Sequence, residues 1–151
     1  MQDTVLIYLE RNDEYLLLYR NKKNNDMNKG KYIGIGGKVE VWETVFDALK
    51  REVKEETNLD LYSYEYKGIV YFHNDDFHEA MHLFTSTDFK GEIKECDEGT
   101  LHWVKKDKIM SLPMWEGDKI FFDYIKNNEP FIKLDLYYKK DIFVSWEKRN
   151  D

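Results

Sequence analysis

With 151 residues, 42% of them hydrophobic and 16% aromatic, the chain has the material for one well-filled core, and residues 1–151 read as a single domain. A formal charge of −7 argues against a broad nucleic-acid surface, because phosphate backbones are held by an excess of Lys and Arg. The lone Cys96 excludes an internal disulfide, and no stretch approaches the ~18 apolar residues of a membrane span, so a reducing, cytoplasmic setting is expected.

The chain opens on two runs of strand formers, Thr4 to Glu10 and Tyr15 to Arg20, joined through "RNDE" as a hairpin. The next segment, "NKKNNDMNKGK", has no apolar periodicity and many turn residues, which predicts an exposed, mobile, basic loop over 21–31. After the glycine loop "YIGIGGK", Val45, Ala48, Leu49 and Val53 recur at helical spacing behind Thr44, which predicts a helix from Thr44 to Thr57. Strands are expected at Tyr62 to Phe72, Ala80 to Thr87 and Thr100 to Val104, followed by a short helical turn in "KDKIMSLP" that Pro113 stops. A second helix over Gly117 to Asn127 puts Ile120, Phe121, Tyr124 and Ile125 on one side, and "FIKLDLYYKKDIFVSWE" alternates as a closing hairpin. No internal repeat, linker or low-complexity tract interrupts this mixed α and β order.

The first helix poses a chemical question. Glu52, Glu55 and Glu56 stand at i, i+3 and i+4, so three carboxylates share one face and repel one another. Patterning alone favours a solvated acidic face with Lys50 and Lys54 beside it. A hard divalent cation is the other way to remove the repulsion, since Mg²⁺ prefers carboxylate and carbonyl oxygens and is commonly shared with substrate phosphates.

The fixed distances around these residues decide between the two. Gly37 is followed after five residues by Glu43, then after seven by Arg51, Glu52, Val53, Lys54, Glu55, Glu56 and, three further on, Leu59. This spacing resembles the Nudix box, matching eight of its nine defined positions. The ninth has Asn58 in place of Gly at a helix end that favours positive φ, a replacement Asn tolerates better than other side chains. Trp42 stands at a free position where many members carry a small residue. A phosphate-binding P-loop is excluded, because Tyr32 and Val39 occupy positions that motif reserves for Gly and for Ser or Thr.

The resemblance implies an α/β Nudix fold, a mixed β-sheet sandwiched between α-helices, here with a C-terminal β-hairpin. It also implies hydrolysis of a nucleoside diphosphate linked to another group. The segments "NDMNKGKYIGIGGKVE", "CDEGTLHWV" and "LPMWEGDKIFF" are similar to MutT/MutX-type hydrolases, whose usual substrate is 8-oxo-dGTP and whose role is nucleotide-pool sanitation in DNA repair. Those enzymes release the monophosphate and pyrophosphate with Mg²⁺, for which Mn²⁺ is an alternative. By that resemblance Glu52, Glu55, Glu56, Glu98 and the Gly36 carbonyl hold metal, with Glu52 or Glu98 as the base. Arg51 would meet Glu43 across the loop and orient the acidic face; Arg20, Lys23 and Lys38 would hold the triphosphate.

For the nucleobase, Trp115 offers a ring for stacking and Asp118 a hydrogen-bonding carboxyl. Taken alone, Trp115 is core packing, Asp118 a helix-start residue, and Glu98 a polar turn residue. Ile33 and Gly117 depart from the animal enzymes, which have Asn and an aspartate there, so base recognition is not expected to follow theirs in full. The expected partner is a nucleoside triphosphate, with neither a nucleic acid polymer nor a membrane, on a monomer or homodimer. Other substrates of the family (ordinary nucleotides, nucleotide sugars, ADP-ribose) and a non-catalytic Nudix-fold binding domain are the alternatives. His73, His78 and His82 match no zinc signature, and no motif marks Cys96 as a nucleophile.

Overall fold

The computed structural model describes residues 1–150. Nine strands are joined in one extended array: β1 Gln2–Arg11, β2 Glu14–Tyr19, β3 Tyr32–Ile33, β4 Ile35–Lys38, β5 Asp60–Asn74, β6 Phe77–Lys90, β7 Thr100–Lys105, β8 Ile132–Lys139 and β9 Ile142–Lys148. Two α-helices, α1 Val45–Thr57 and α2 Asp118–Lys126, and a 3₁₀ turn over Lys106–Ser111 complete the order. No helix among the described residues is long and apolar enough to cross a membrane.

Strand β1 is the axis of the molecule. Along Thr4 to Ile7 it pairs antiparallel with β4, while its other edge runs parallel to β6. Only its tip, Glu10 and Arg11, pairs with β2, which carries β3 on one side and β7 on the other. The turn between β1 and β2 places Asn12 and Asp13 at φ 51° and 62°, a left-handed pair that matches the twist of a tight hairpin. Beyond β6 the order continues through β5 and β8 to β9.

Alternation along the strands builds two cores. Leu6 and Tyr8 of β1 and Tyr15 and Leu17 of β2 point toward α2 with Phe121 and Phe122. Val5, Ile7, Leu9, Leu16 and Leu18 point the other way, onto Ala48, Leu49 and Val53 of α1. The sheet is therefore sandwiched between helices, as expected. Each such side chain buried from water contributes roughly 1.5–3 kcal/mol, which is why period two in the strands and period 3.6 in the helices dominate the layout.

Helix α1 begins with a capping box: Thr44 Oγ1 accepts from Asp47 N at 3.1 Å, and the Asp47 carboxylate accepts from Thr44 N at 3.4 Å. It ends at Asn58, whose φ of 69° is the left-handed conformation that the substitution for Gly requires.

One expectation needs correction and a second needs refining. The glycine-dense "YIGIGGK" is not a free loop but contributes β3 and β4, anchored by Ile35, which is wholly buried. Glycine is needed there for close approach: a Cβ on Gly36 would collide with the Val5 carbonyl, and one on Gly37 would lie 2.6 Å from the Glu52 carboxyl. The basic segment over 21–31 is, as expected, a largely exposed run of turns without helix or strand, and it is also tied to the body. Arg20 Nε donates to Asp26 Oδ2 at 2.7 Å, and Gly30 N donates to Arg20 O at 2.8 Å. Asn28 Oδ1 accepts from Trp115 Nε1 at 2.7 Å, so this segment becomes part of a wall.

Candidate functional site

Arg51 organises the acidic face of α1. Its Nε and Nη2 donate to the two oxygens of Glu43 at 3.0 and 2.5 Å, a two-pronged contact that a guanidinium is shaped to make. Nη2 also donates to the Lys38 carbonyl at 3.0 Å, closing the 38–43 loop over the helix start. Nη1 donates to Glu52 at 2.7 Å and to Glu55 at 3.2 Å. The Arg51 bond holds the Glu43 carboxyl below the usual carboxylate range, and the same bond raises Arg51 above its own.

One turn away the balance reverses. Glu56 is 5% exposed, and burial above all pushes its carboxyl well above the ordinary range. Gly36 N donates to its Oε2 at 3.0 Å and pulls the other way, while Glu52 and Glu98 add repulsion. Burial likewise raises Glu52, against the opposing pull of Arg51. Glu98, whose residue type and turn setting gave little signal, is brought from the β6–β7 connection into contact with Glu56. Arg20 Nη1 and Lys23 Nζ lie 3.5 and 3.7 Å from Glu98.

The donor set is all oxygen and crowded with negative charge, which fits a hard divalent cation. The repulsion among Glu52, Glu56 and Glu98 is what such an ion relieves. Among the described residues no three His, Cys, Asp or Glu side chains form a ready metal cluster, and Arg51 draws Glu52 and Glu55 toward itself. The expected ligands thus gather at one place without being closed into a shell. Gly36 contributes its amide to Glu56.

A cavity of about 190 Å³ opens beside this face. Its lining includes Arg20, Gly36, Gly37, Lys38, Trp115 and Asp118, and it is joined to α1 through Gly36, which bonds Glu56, and Gly37, which lies against the Glu52 carboxyl. Trp115 is only 5% exposed, packs edge-on against Phe72 and Tyr138, and has Lys31 Nζ 4.5 Å over its ring. Packed in this way, it still lines the cavity. Asp118 is buried, and burial followed by the charge of Glu79 pushes it up to about 8. Gly117, where a second aspartate was noted as missing, donates its N–H to Tyr138 Oη at 2.6 Å, and a Cβ there would strike that oxygen. Lys23 does not line the cavity but stays with Glu98.

Sequence reasoning missed Asn28 and Glu79 in this wall. Glu79 shares the parity of Met81 and Leu83 on β6, the side toward α2, and that break in an apolar register was the available signal. The histidines separate into two networks: His73 contacts His78 and Asp135 at 2.8 Å each, while His82 contacts Tyr66 and, at 3.0 Å, Asp3.

A family model for the NUDIX domain matches residues 1–125. The chain belongs to the Nudix family. It is 31% identical over 124 residues to the oxidized purine nucleoside triphosphate hydrolase of Danio rerio, covering 81% of this chain and 80% of that protein. It is 27% identical over 129 residues to the enzyme of the same description from Mus musculus, covering 84% and 83%. The crystal structure of a mutator MutT protein from Bacillus halodurans superposes with a TM-score of 0.88 at 28% identity, covering 100% of this chain and 99% of that one. The chain is thus a Nudix pyrophosphohydrolase of MutT type. Enzymes of this family generally use divalent metal ions and bind nucleotide substrates.

Proposed function

We propose that this Nudix hydrolase cleaves oxidised purine nucleoside triphosphates such as 8-oxo-dGTP to the monophosphate and pyrophosphate, with Mg²⁺, and so sanitises the nucleotide pool. The observation that carries the reading is the adjacency of two parts: Gly36, which bonds Glu56, and Gly37, which lies against the Glu52 carboxyl, join the acidic, Arg-latched face to a cavity lined by Arg20, Lys38, Trp115 and Asp118. The vertebrate relatives described as oxidized purine nucleoside triphosphate hydrolases support the choice of substrate. The whole chain, 1–151, acts as one unit in this reading, because α2 lines the cavity through Asp118 and Tyr138 of β8 packs behind two of its lining residues, Phe72 and Trp115.

Glu52, Glu55, Glu56, Glu98 and the Gly36 carbonyl would hold the metal. Bound there, a divalent cation supplies Lewis-acid polarisation of a phosphoryl oxygen and neutralises the charge that develops at phosphorus. The chain's own residues do the rest. Arg51 fixes the orientation of Glu52 through a 2.7 Å bond and keeps the 38–43 loop in place. Arg20, Lys23 and Lys38 set positive charge along the path of the triphosphate. Glu52 and Glu98 are the carboxylates available to take a proton from the attacking water, whose target is the β-phosphorus. Trp115 and Asp118 receive the base.

Initial rates of pyrophosphate release from 8-oxo-dGTP and dGTP, each with Mg²⁺ and with chelator, test this. Metal-dependent release with a clear preference for 8-oxo-dGTP is expected. Equal turnover of both reassigns the substrate, and turnover that survives chelation removes the metal from the reading.

A further inference from the structure

The acidic face of α1 is not the only place where carboxyls meet. Glu79 and Asp118 line the same cavity from opposite layers, one from β6 and the other from the first turn of α2. Asp118 is buried and Glu79 half-buried, and among the described residues neither carboxyl accepts a side-chain or backbone hydrogen bond, whereas the other buried carboxyls are held: Glu56 by Gly36, Asp135 by His73 and Arg149. Both line the cavity, so the partners that the protein does not give their oxygens come from what enters it. The surroundings favour a flat, uncharged ligand, since Phe72, Phe77, Met81 and Trp115 form the walls.

We propose that Glu79 is a second base-reading residue, which with Asp118 forms a two-carboxyl clamp for the hydrogen-bonding edge of a purine. This inference rests on the nucleotide reading above. Two ionised carboxylates would only accept hydrogen bonds, whereas a pair that retains a proton presents an O–H donor beside carboxylate acceptors. Burial raises Glu79 to about 7, against a lowering pull from Lys38, and Asp118 stands higher still, so such a proton is held at neutral pH. The clamp therefore matches an oxopurine edge, which carries donors and acceptors side by side. Gly117 adds no side chain, because Tyr138 fills its space, so the second carboxyl is supplied across the cavity by β6.

Calorimetric titration of the whole chain with 8-oxo-dGMP, dGMP, dAMP and dCMP in chelator reads base recognition without cleavage. Glu79→Gln is expected to weaken the best purine monophosphate by about tenfold or more, and dCMP by less than about twofold. Combined with Asp118→Asn, its loss should be smaller than the product of the two single losses, as for groups sharing one proton. Glu79→Asp, which keeps the acid, should retain a measurable share of the purine preference and serves if the amide variant folds poorly. Unchanged purine affinity in Glu79→Gln, or an equal loss for purines and dCMP, overturns the clamp. The same proteins assayed for pyrophosphate release separate the two ideas. Mg²⁺-dependent hydrolysis insensitive to Glu79 keeps the reaction and overturns the clamp; Glu79-dependent purine binding without hydrolysis keeps the clamp and removes the reaction. Folded wild-type protein that binds none of the nucleotides overturns both.

Discussion

The carboxyls of α1 and those lining the cavity are the same chemical groups in opposite company. Around α1, Glu43, Glu52 and Glu55 share the Arg51 guanidinium, and Glu98 faces Arg20 and Lys23. In the cavity, Glu79 and Asp118 stand among aromatic walls, and Lys38 is the cation that bears on Glu79. Burial raises Glu56 and Glu52 in the first group as it does Glu79 and Asp118 in the second, but the first group is crowded with like charge that a cation can answer, whereas the second has an aromatic-lined cavity in which to hold protons and form hydrogen bonds. Surroundings, not residue type, assign the two roles.

The largest expected effect comes from removing one charge at the first place. Glu56→Gln should lower Mg²⁺-dependent hydrolysis by about 10²-fold or more, while the melting temperature in chelator holds or rises because repulsion with Glu52 and Glu98 is relieved. Mg²⁺ should raise the melting temperature of the wild type and not of this variant. Normal turnover by the variant would remove Glu56 from the metal set.

Next comes the latch that gathers the α1 carboxyls, for which the cavity pair has no counterpart. Arg51→Ala loses the contacts to Glu43, Glu52, Glu55 and the Lys38 carbonyl, so melting should fall by about 3–6 °C and activity by about tenfold. Lys at 51 should recover little of either, because it cannot grip Glu43 with two nitrogens. A fully active Arg51→Lys protein would mean that charge alone suffices.

The pH dependence of stability sharpens the contrast from the other end. Asp118 is raised from 3.8 to about 8, so between those values the folded chain binds a proton that the unfolded chain has released. Its contribution is complete below pH ~4 and is lost as pH rises through about 8, with a slope approaching 1.4 kcal/mol per pH unit at most, roughly. Thermal melts of apo wild type should therefore decline over that window, and Asp118→Asn should flatten the decline. Parallel profiles would place the proton elsewhere.

The smallest effect is expected at the one departure from the box. Asn58→Gly relieves the left-handed backbone but gives up the Asn58 Nδ2 bond to Glu92 O at 3.0 Å, so stability should stay within about 0.5 kcal/mol of wild type in chemical denaturation.

The two carboxyl groups also differ in how far the sequence revealed them. Fixed intervals from Gly37 to Leu59 marked the α1 set, because a helix converts spacing into a shared face. Strand alternation and the Thr44 cap likewise located β1, β2 and α1 to within about two residues. Glu79 was hidden because an acidic residue in an alternating strand looks like its solvent side, and only the neighbouring layer, α2, shows otherwise. Asn28 was hidden by a segment that reads as solvated and is tied down by long-range bonds from Trp115 and Arg20. Strands β3 and β4 were hidden by glycines that ordinarily mark loops and here admit the Val5 carbonyl and the Glu52 carboxyl.

The hydroxyl of Tyr138 that meets the Gly117 amide has a wider meaning. Tyr138 also packs within 5.1 Å, ring to ring, of Trp115 and 4.9 Å of Phe72, yet it lies past residue 125, where the family model stops. Tyr138 does not line the cavity itself but stands behind Phe72 and Trp115, which do, so part of the support of its wall comes from beyond the family-matched segment. A change in the terminal hairpin would thus reach the cavity only indirectly, by shifting Phe72 and Trp115 from behind like a shim, and would leave the contacts of α1 in place.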